Sequence, residues 1–443
     1  MASLALVFCT ILIFSTYAFA ATYYVDANNG NDSNPGTESQ PWETLIYACA
    51  QLTAGDTLYV KNGTYYSQDR PEWYIPGITF SNSGTQQHPI IVKNYPGHTP
   101  VIIGMQKKYP SKPIPHSTMG AFEKSWIVID GLKFEKAVIF WRADTLAAGQ
   151  NITIQNCDFD YGFRNPDDPS YVNFIWLDNV EYITVRNNTF SNNKWWGLDR
   201  TNGVGIIHHW CRDVVIENNE FEECVIAYRP KKGSGEPGSE ERNCVFRYNM
   251  VRNCEIGVYV GGYSNATIDQ RIYQNIFVDT HYAILINIGN TNTLIYNNTF
   301  YNNPGYDPRG DPTTGIWYIA DSIATNKNHQ IYNNIIANFQ SPITITTQSN
   351  PPNLYCDYNC YHNFQGFFRD WKWKTFAHFK ISIGGDQHSI ISAPRFLRPP
   401  KDFRLSDNSP CNGTGKNRVN IGVYVTGGEL IGSTLSPLTD TLP

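Results

Sequence analysis

Charge is scarce in this chain: 16% of its 443 residues are Asp, Glu, Lys or Arg, and 34 basic side chains nearly balance 39 acidic ones. A chain without a basic surplus has no electrostatic footprint for nucleic acid, so that class of partner is excluded. Only four methionines occur. After the first twenty residues no apolar run is long enough to span a membrane. The cysteines follow no zinc-site spacing: Cys356 and Cys360 lie in an Asn-rich stretch without a nearby His pair, so thiolate metal binding is not expected.

The one long apolar run, MASLALVFCTILIFSTYAFA, ends in Ala-Phe-Ala before Ala21 and lacks a basic leader. It reads as a secretory signal over residues 1–20, with a retained anchor as the alternative. The expected product, residues 21–443, is one secreted or periplasmic domain, monomeric and free of the membrane. Loss of Cys9 with the signal leaves nine cysteines, an odd number. Cys224 and Cys254 each stand three places after a repeat anchor, so they stack one rung apart, as a disulfide or as a pair of buried thiols.

What is abundant is aromatic, Asn and Gly: 28 Tyr, 11 Trp and 34 Gly suit strands and turns. Near the start, Trp42–Leu52 has helical spacing, with Leu45, Ile46, Ala48, Cys49 and Leu52 forming a stripe behind Pro41. Such a short helix can cover the open end of a stack of strands.

From Ile90 onward strands dominate, and an Asn two places before an apolar residue recurs. Its copies are Asn188-Thr189-Phe190, Asn219-Glu220-Phe221, Asn249-Met250-Val251, Asn275-Ile276-Phe277, Asn298-Thr299-Phe300, Asn334-Ile335-Ile336 and Asn359-Cys360-Tyr361, at intervals of 23 to 36 residues. Asn156 to Phe159 is an imperfect earlier copy. Alternating apolar residues before each Asn indicate strands with one buried face. Stacked side-chain amides at a tight bend can hydrogen-bond one another. Such a repeat builds a solenoid of parallel strands spaced by ~4.8 Å.

This pattern resembles the right-handed parallel β-helix of the pectate lyase superfamily, in secreted members of which YYVDANNGNDSNPGT and SAPRFLRPPKDFRLSDNSPCNGTG have counterparts at the two ends. The expected fold is therefore all-β, a right-handed parallel β-helix with a short N-terminal capping helix. Loops SNNKWWGLDRTN, KKGSGEPGSEER and NNPGYDPRGDPTT would wall a groove. The aromatic stretch GFFRDWKWKTFAHF and the Pro-rich tail would wrap or cap the last turn.

Aligning GIIHH, AYRPK, GVYVG and AILIN places Ile206, Tyr228, Val258 and Ile284 in one inward column, and His208, Pro230, Val260 and Ile286 in another. Facing outward are Ile207 with Arg229, Tyr259 and Leu285, and His209 with Lys231, Gly261 and Asn287. A slip of one residue exchanges the faces and turns His208 outward instead. Removing the weakly acidic proton beside a uronate carboxylate needs a base and a cation for the developing enolate. Lysine becomes such a base when positive neighbours and desolvation depress its pKa. Lys231 is thus the candidate base, Arg229 the carboxylate partner, and His209 a substrate or proton-transfer group.

The segment also resembles the lysine-dependent pectate lyases, whose base lies in Phe-Lys-Leu-Gly-Gly. Here it reads Tyr228-Arg229-Pro230-Lys231-Lys232-Gly233-Ser234. Those enzymes hold calcium with Asp-Asp-Gly-x-Asp one rung earlier, where this chain has Val204-Gly205-Ile206-Ile207. Calcium remains an expectation through Asp158, Asp160 and Asp178, which offer oxygen ligands; residues of this kind also cap turns. Lys232, Trp195, Trp196, Arg200 and Tyr259 are the candidate substrate contacts, the Trp pair through stacking on sugar.

The bland alternative for Lys231 and Lys232 is a solvated turn paired with Glu236, Glu240 and Glu241. The leading function is a polysaccharide lyase acting on uronate glycan by β-elimination. A glycoside hydrolase, needing two facing carboxylates ~5–9.5 Å apart, is the enzymatic alternative; Asp178 and Asp199 are its candidates, since no Asp pair stands with Gly-His-Gly. A noncatalytic carbohydrate-binding solenoid is the third.

Overall fold

The computed structural model describes residues 20–68, 75–104, 117–160, 172–193, 203–231, 241–261, 267–287, 289–306, 310–320, 328–347 and 354–433. Three long sheets run through it, of 14, 12 and 12 strands, and nearly every neighbouring pair is parallel. The chain visits them in turn. Arg212–Glu217 lies in the first sheet, Glu220–Cys224 in the second and Ile226–Pro230 in the third, and the next coil repeats the order.

The side-chain alternation that suggested strands is what closes this prism. In Arg212–Glu217, Val214 and Ile216 are fully buried, while the residues between them are partly open. Between first and second sheets the bend turns on one left-handed residue: Asn187, Asn218, Tyr248, Gln274 and Asn297 all have φ of 52° to 57°. Asn accepts that conformation at low cost. The ladder Asn follows immediately. Asn188, Asn219, Asn249, Asn275, Asn298 and Asn334 each donate from Nδ2 to Oδ1 of the next, at 3.0–3.1 Å, ending on Asn359. Cys157 occupies the ladder position of the imperfect copy, its amide donating to Asn188 Oδ1 at 2.9 Å. One column inside, Phe134, Phe159, Phe190 and Phe221 stack at 4.7–4.9 Å.

The capping helix is shorter than its apolar stripe implied, Leu45–Gln51, with Thr44 accepting the Tyr47 amide. Trp42 belongs instead to a bridge with Val25 and stacks on Tyr23. At the other end Phe376–Ile383 is helical, and Phe379 stacks on Phe367 at 4.2 Å. The tail then returns along the outside of the second sheet, where Phe403 and Val423 cover Ile276 and Val278.

All nine described cysteines are buried free thiols, Cys224 and Cys254 among them. The signal segment lies outside the described residues, apart from Ala20. No described helix is long and apolar enough to cross a membrane.

Candidate active site

The third sheet carries the outward columns expected from the sequence. Its register pairs Asp178 with His209, Ile207 with Arg229, and His208 with Pro230, so that Lys231 follows His209 on the next rung. Tyr259 pairs with Leu285, and Leu285 with Trp317. The floor of this face is apolar: Val204, Ile207, Ile226, Ile256, Tyr259 and Leu285 form a cluster separate from the main core.

Along its edge runs a polar column, Arg142, Asp178, His209 and Lys231, one residue from each of four successive rungs. Arg142 Nε approaches Asp178 Oδ2 at 3.9 Å. Beside Lys231, Arg229 is only 2% exposed and its guanidinium lies 4.5 Å from the centre of the Tyr259 ring. That contact is a cation–π interaction, which holds the guanidinium against the floor. Asn287 donates to the Tyr259 hydroxyl at 2.9 Å and fixes the ring from the far side.

Enclosure shifts the protonation of this column. Burial first, then the Arg229 charge, lowers the pKa of Lys231 below its ordinary value. His209 is driven down to about 3, by burial foremost and then by Lys231, His208 and Arg229. Asp178 moves the other way, up to about 6, because burial and the nearby Glu241 outweigh Arg142. At neutral pH the column thus holds a neutral imidazole beside an amine that gives up its proton more readily than an ordinary lysine. Asp178 Oδ1 and His209 Nε2 are buried without a hydrogen-bond partner among the described residues. Buried polar atoms are nearly always satisfied, and unpaired ones converging on a groove are a common mark of a site that expects a ligand.

His208 faces the core, as the register requires. Its Nε2 meets the Tyr228 hydroxyl at 2.8 Å and its Nδ1 contacts Glu241, while Cys244 donates to the same Glu241 oxygen at 3.4 Å. The Cys211 amide holds the second oxygen at 3.1 Å. His208, Glu241 and Cys244 are the one group among the described residues with donor atoms close enough to share a metal, but all three are sealed inside the coil. Glu241 is therefore no surface partner of Lys231. The solvated-turn alternative loses that carboxylate, while Lys232, Glu236 and Glu240 lie outside the described residues.

The calcium trio is not brought together. Asp158 and Asp160 stand on the second sheet, taking hydrogen bonds from Thr189 and from Ser191 and Asn192, whereas Asp178 stands on the third. Both are strand residues that accept from the next rung of their own sheet, and the described residues form no oxygen cage for calcium. Trp195, Trp196, Asp199 and Arg200 lie outside the described residues. One participant escaped the sequence reading, Arg142, and Glu241, expected on the surface, is buried instead. Aligning IFWR with WLD and IHH would have found Arg142, because Arg142, Asp178 and His209 end their strands in register.

Residues 23–225, just under half of the chain, match the family model described as Pel9A-like, right handed beta helix region. The fold is a right-handed parallel β-helix. Among solved structures, this β-helix is similar to the GH136 lacto-N-biosidase from Eubacterium ramulus, at 13% identity over 80% of this chain and 67% of that one, with a TM-score of 0.55. Pectate lyase Pel9A shares 15% identity over 91% and 96% of the two chains, at a TM-score of 0.43. A PL6 alginate lyase in complex with a trisaccharide shares 13% over 93% and 95%, at 0.47. Identities this low speak for the fold and leave the chemistry of the β-helix to its own residues. No curated protein matches the chain in sequence.

Proposed function

We propose that this protein cleaves a uronate-containing polysaccharide by β-elimination in the groove over its third sheet. The observation that carries the reading is the pairing of a half-buried lysine of lowered pKa, Lys231, with the enclosed guanidinium of Arg229 on the same outer face. Solved β-helix relatives named as lyases on pectate and on alginate are consistent with that class of substrate.

In this reaction Lys231, as the free amine, takes the proton from C5 of the uronate. Arg229 pairs with the carboxylate, and the charge that develops as the C5–H bond breaks is drawn toward it. The C4–O4 bond then breaks, a C4=C5 double bond forms, and the departing oxygen takes a proton from water. His209, neutral in this range, hydrogen-bonds the sugar through Nε2, and Asp178 with Arg142 orients the neighbouring residue. Arg142 stands beside Asp178 and Arg229 stacks on Tyr259, and these two cations are the ones the reaction as written uses.

A hydrolase is favoured by one observation, the raised pKa of Asp178, which suits a general acid. Hydrolysis also requires a second carboxylate across the bond. The outward residues flanking Asp178 are instead Arg142 and His209, and its proposed partner Asp199 lies outside the described residues.

The test is digestion of pectate, alginate and chondroitin followed by ultraviolet absorbance of the unsaturated uronate product. Absorbance is expected with one of these polymers and is abolished in Lys231→Ala, whose melting temperature stays at that of the parent. New reducing ends without absorbance would establish hydrolysis instead, and an active Lys231→Ala protein would remove the lysine from the mechanism.

A further inference from the structure

The outward column that contains Arg229 continues along the same sheet through Tyr259 and Leu285 to Trp317, Thr344 and Phe368. Trp317 stands three rungs beyond Arg229, ~14 Å at the usual strand spacing. There the groove opens into a cavity of about 240 Å³. Its walls differ in chemistry from those around Lys231. Tyr282, Trp317, Phe368 and Trp371 supply four aromatic rings, Thr344 is among the hydroxyl groups, and Asp311 is the one charged side chain among the described lining residues.

The aromatic surface is braced yet open. Trp317 packs on Tyr282 at 5.0 Å, and its indole N–H donates to Thr346 Oγ1 at 3.1 Å, which sets the plane of the ring. Trp371 sets its edge against Phe368 at 6.2 Å and remains 71% exposed. A large aromatic ring left in water beside a concave wall is a place where an amphipathic ligand gains contact area, and its polar tip can keep its own partner. The C–H faces of a pyranose stack on such rings while its hydroxyls reach threonine oxygens and a carboxylate. A uronate in the same place finds no cation among the described lining residues, so its carboxylate would be desolvated there without a counter-charge.

We infer that the cavity of Trp317 and Trp371 is a binding subsite for a neutral sugar, and that the substrate is therefore a mixed glycan. It carries a uronate at the Arg229 and Lys231 rungs and a neutral residue a few units along the chain. The second statement rests on the proposed elimination site; the first stands on the cavity alone. A cation-bearing end and an aromatic end on one sheet face select such a polymer over a pure polyuronate.

Titration calorimetry and intrinsic tryptophan fluorescence with cello-, xylo-, manno- and galactohexaose, and with oligogalacturonate and oligoguluronate, test the subsite. At least one neutral hexaose is expected to bind. Trp371→Ala, a change at an exposed side chain, is expected to weaken it ten-fold or more. The subsite is overturned if no neutral hexaose binds, if both Trp371→Ala and Trp317→Ala bind like the parent, or if the uronate oligomers are the ligands lost in those variants. Failure of the elimination reading looks different: neutral binding lost in Trp371→Ala, with no unsaturated product from any polymer.

Discussion

His208 and His209 are adjacent in sequence, yet the alternation of a strand sends them to opposite environments. His208 is tied to Tyr228 and Glu241 in the core, and His209 joins a column of outward charges. The consequence for His209 is a pKa held at about 3 against an ordinary 6.5, so the folded state keeps the ring neutral. A group depressed in this way contributes its full stability above about pH 6.5 and loses it as pH falls toward 3. Asp178 acts in the opposite sense, since its pKa rises from 3.8 to about 6 and its protonation favours the fold across that interval. Thermal melts between pH 7 and 4 should therefore fall more steeply for the parent than for His209→Gln. Parallel curves would show that His209 titrates normally. The lowered pKa of Lys231 makes a second residue-scale prediction. Turnover should rise with pH as the amine forms and level off below the ordinary lysine value of 10.5. A third concerns metal: with Asp158 and Asp160 engaged on one sheet and Asp178 on another, turnover should be unchanged by EDTA and by added calcium. A rate that vanishes in chelator and returns with calcium would place the missing ligands in the loops.

At the scale of the element, the bend carries more of the fold than the strands do. Asn249 donates to Asn275 Oδ1 and to the Ile216 carbonyl, and accepts from both the amide and the side chain of Asn219. Asn249→Ala strips the Asn219 amide and the Ile216 carbonyl of these partners inside a sealed turn. At ~1–3 kcal/mol for each unsatisfied buried group, the loss is roughly 2–5 kcal/mol. Chemical denaturation should show it as a lower midpoint with an unchanged slope, and an unchanged midpoint would mean that the ladder is ornamental. This bend is also what made the architecture readable. Asn, then an apolar residue two places on, is a local pattern whose repetition implies stacking, and alternation fixed inside from outside as far as His208 and His209. The column residue Arg142 and the core residue Glu241 were not readable in the same way. Arg142 reaches Asp178 only through strand register across 36 residues of sequence with a variable loop between them. Glu241 enters the core because a buried histidine and two thiols surround it, and nothing local distinguishes it from Glu240. The aspartates at 158 and 160 could not be told from metal acids for a related reason: only the strand register shows that they face Thr189 and Ser191 of the next rung on a different sheet from Asp178.

A stack of coils is nearly one-dimensional, each rung touching only its neighbours, so its stability is a sum over rungs and its ends can fray. The C-terminal tail changes that for the whole molecule. The Lys416 amide donates to the Asn333 side chain, Gly422 N–H to the Asn333 carbonyl, Gly432 N–H to the Tyr248 carbonyl, and the Ser433 hydroxyl to the Asn187 carbonyl. One segment thereby ties the rungs of Asn187, Tyr248 and Asn333 to one another along the outside of the coil. It also covers Ile276, Val278, Ile335 and Cys360, which are otherwise the open face of the second sheet. Removing residues 393–443 uncovers those side chains, at ~1.5–3 kcal/mol for each large aliphatic one, and lets the rungs melt separately. The truncated protein should unfold at lower temperature in a broad or stepped transition, where the full chain gives one sharp transition by calorimetry. Phe403→Asp, which places a charge under the strap at a residue only 2% exposed, should lower the melting temperature in the same direction with the chain length kept. A truncated protein that still melted once, sharply and at the parent temperature, would mean that the ladder and the aromatic stack alone couple the rungs.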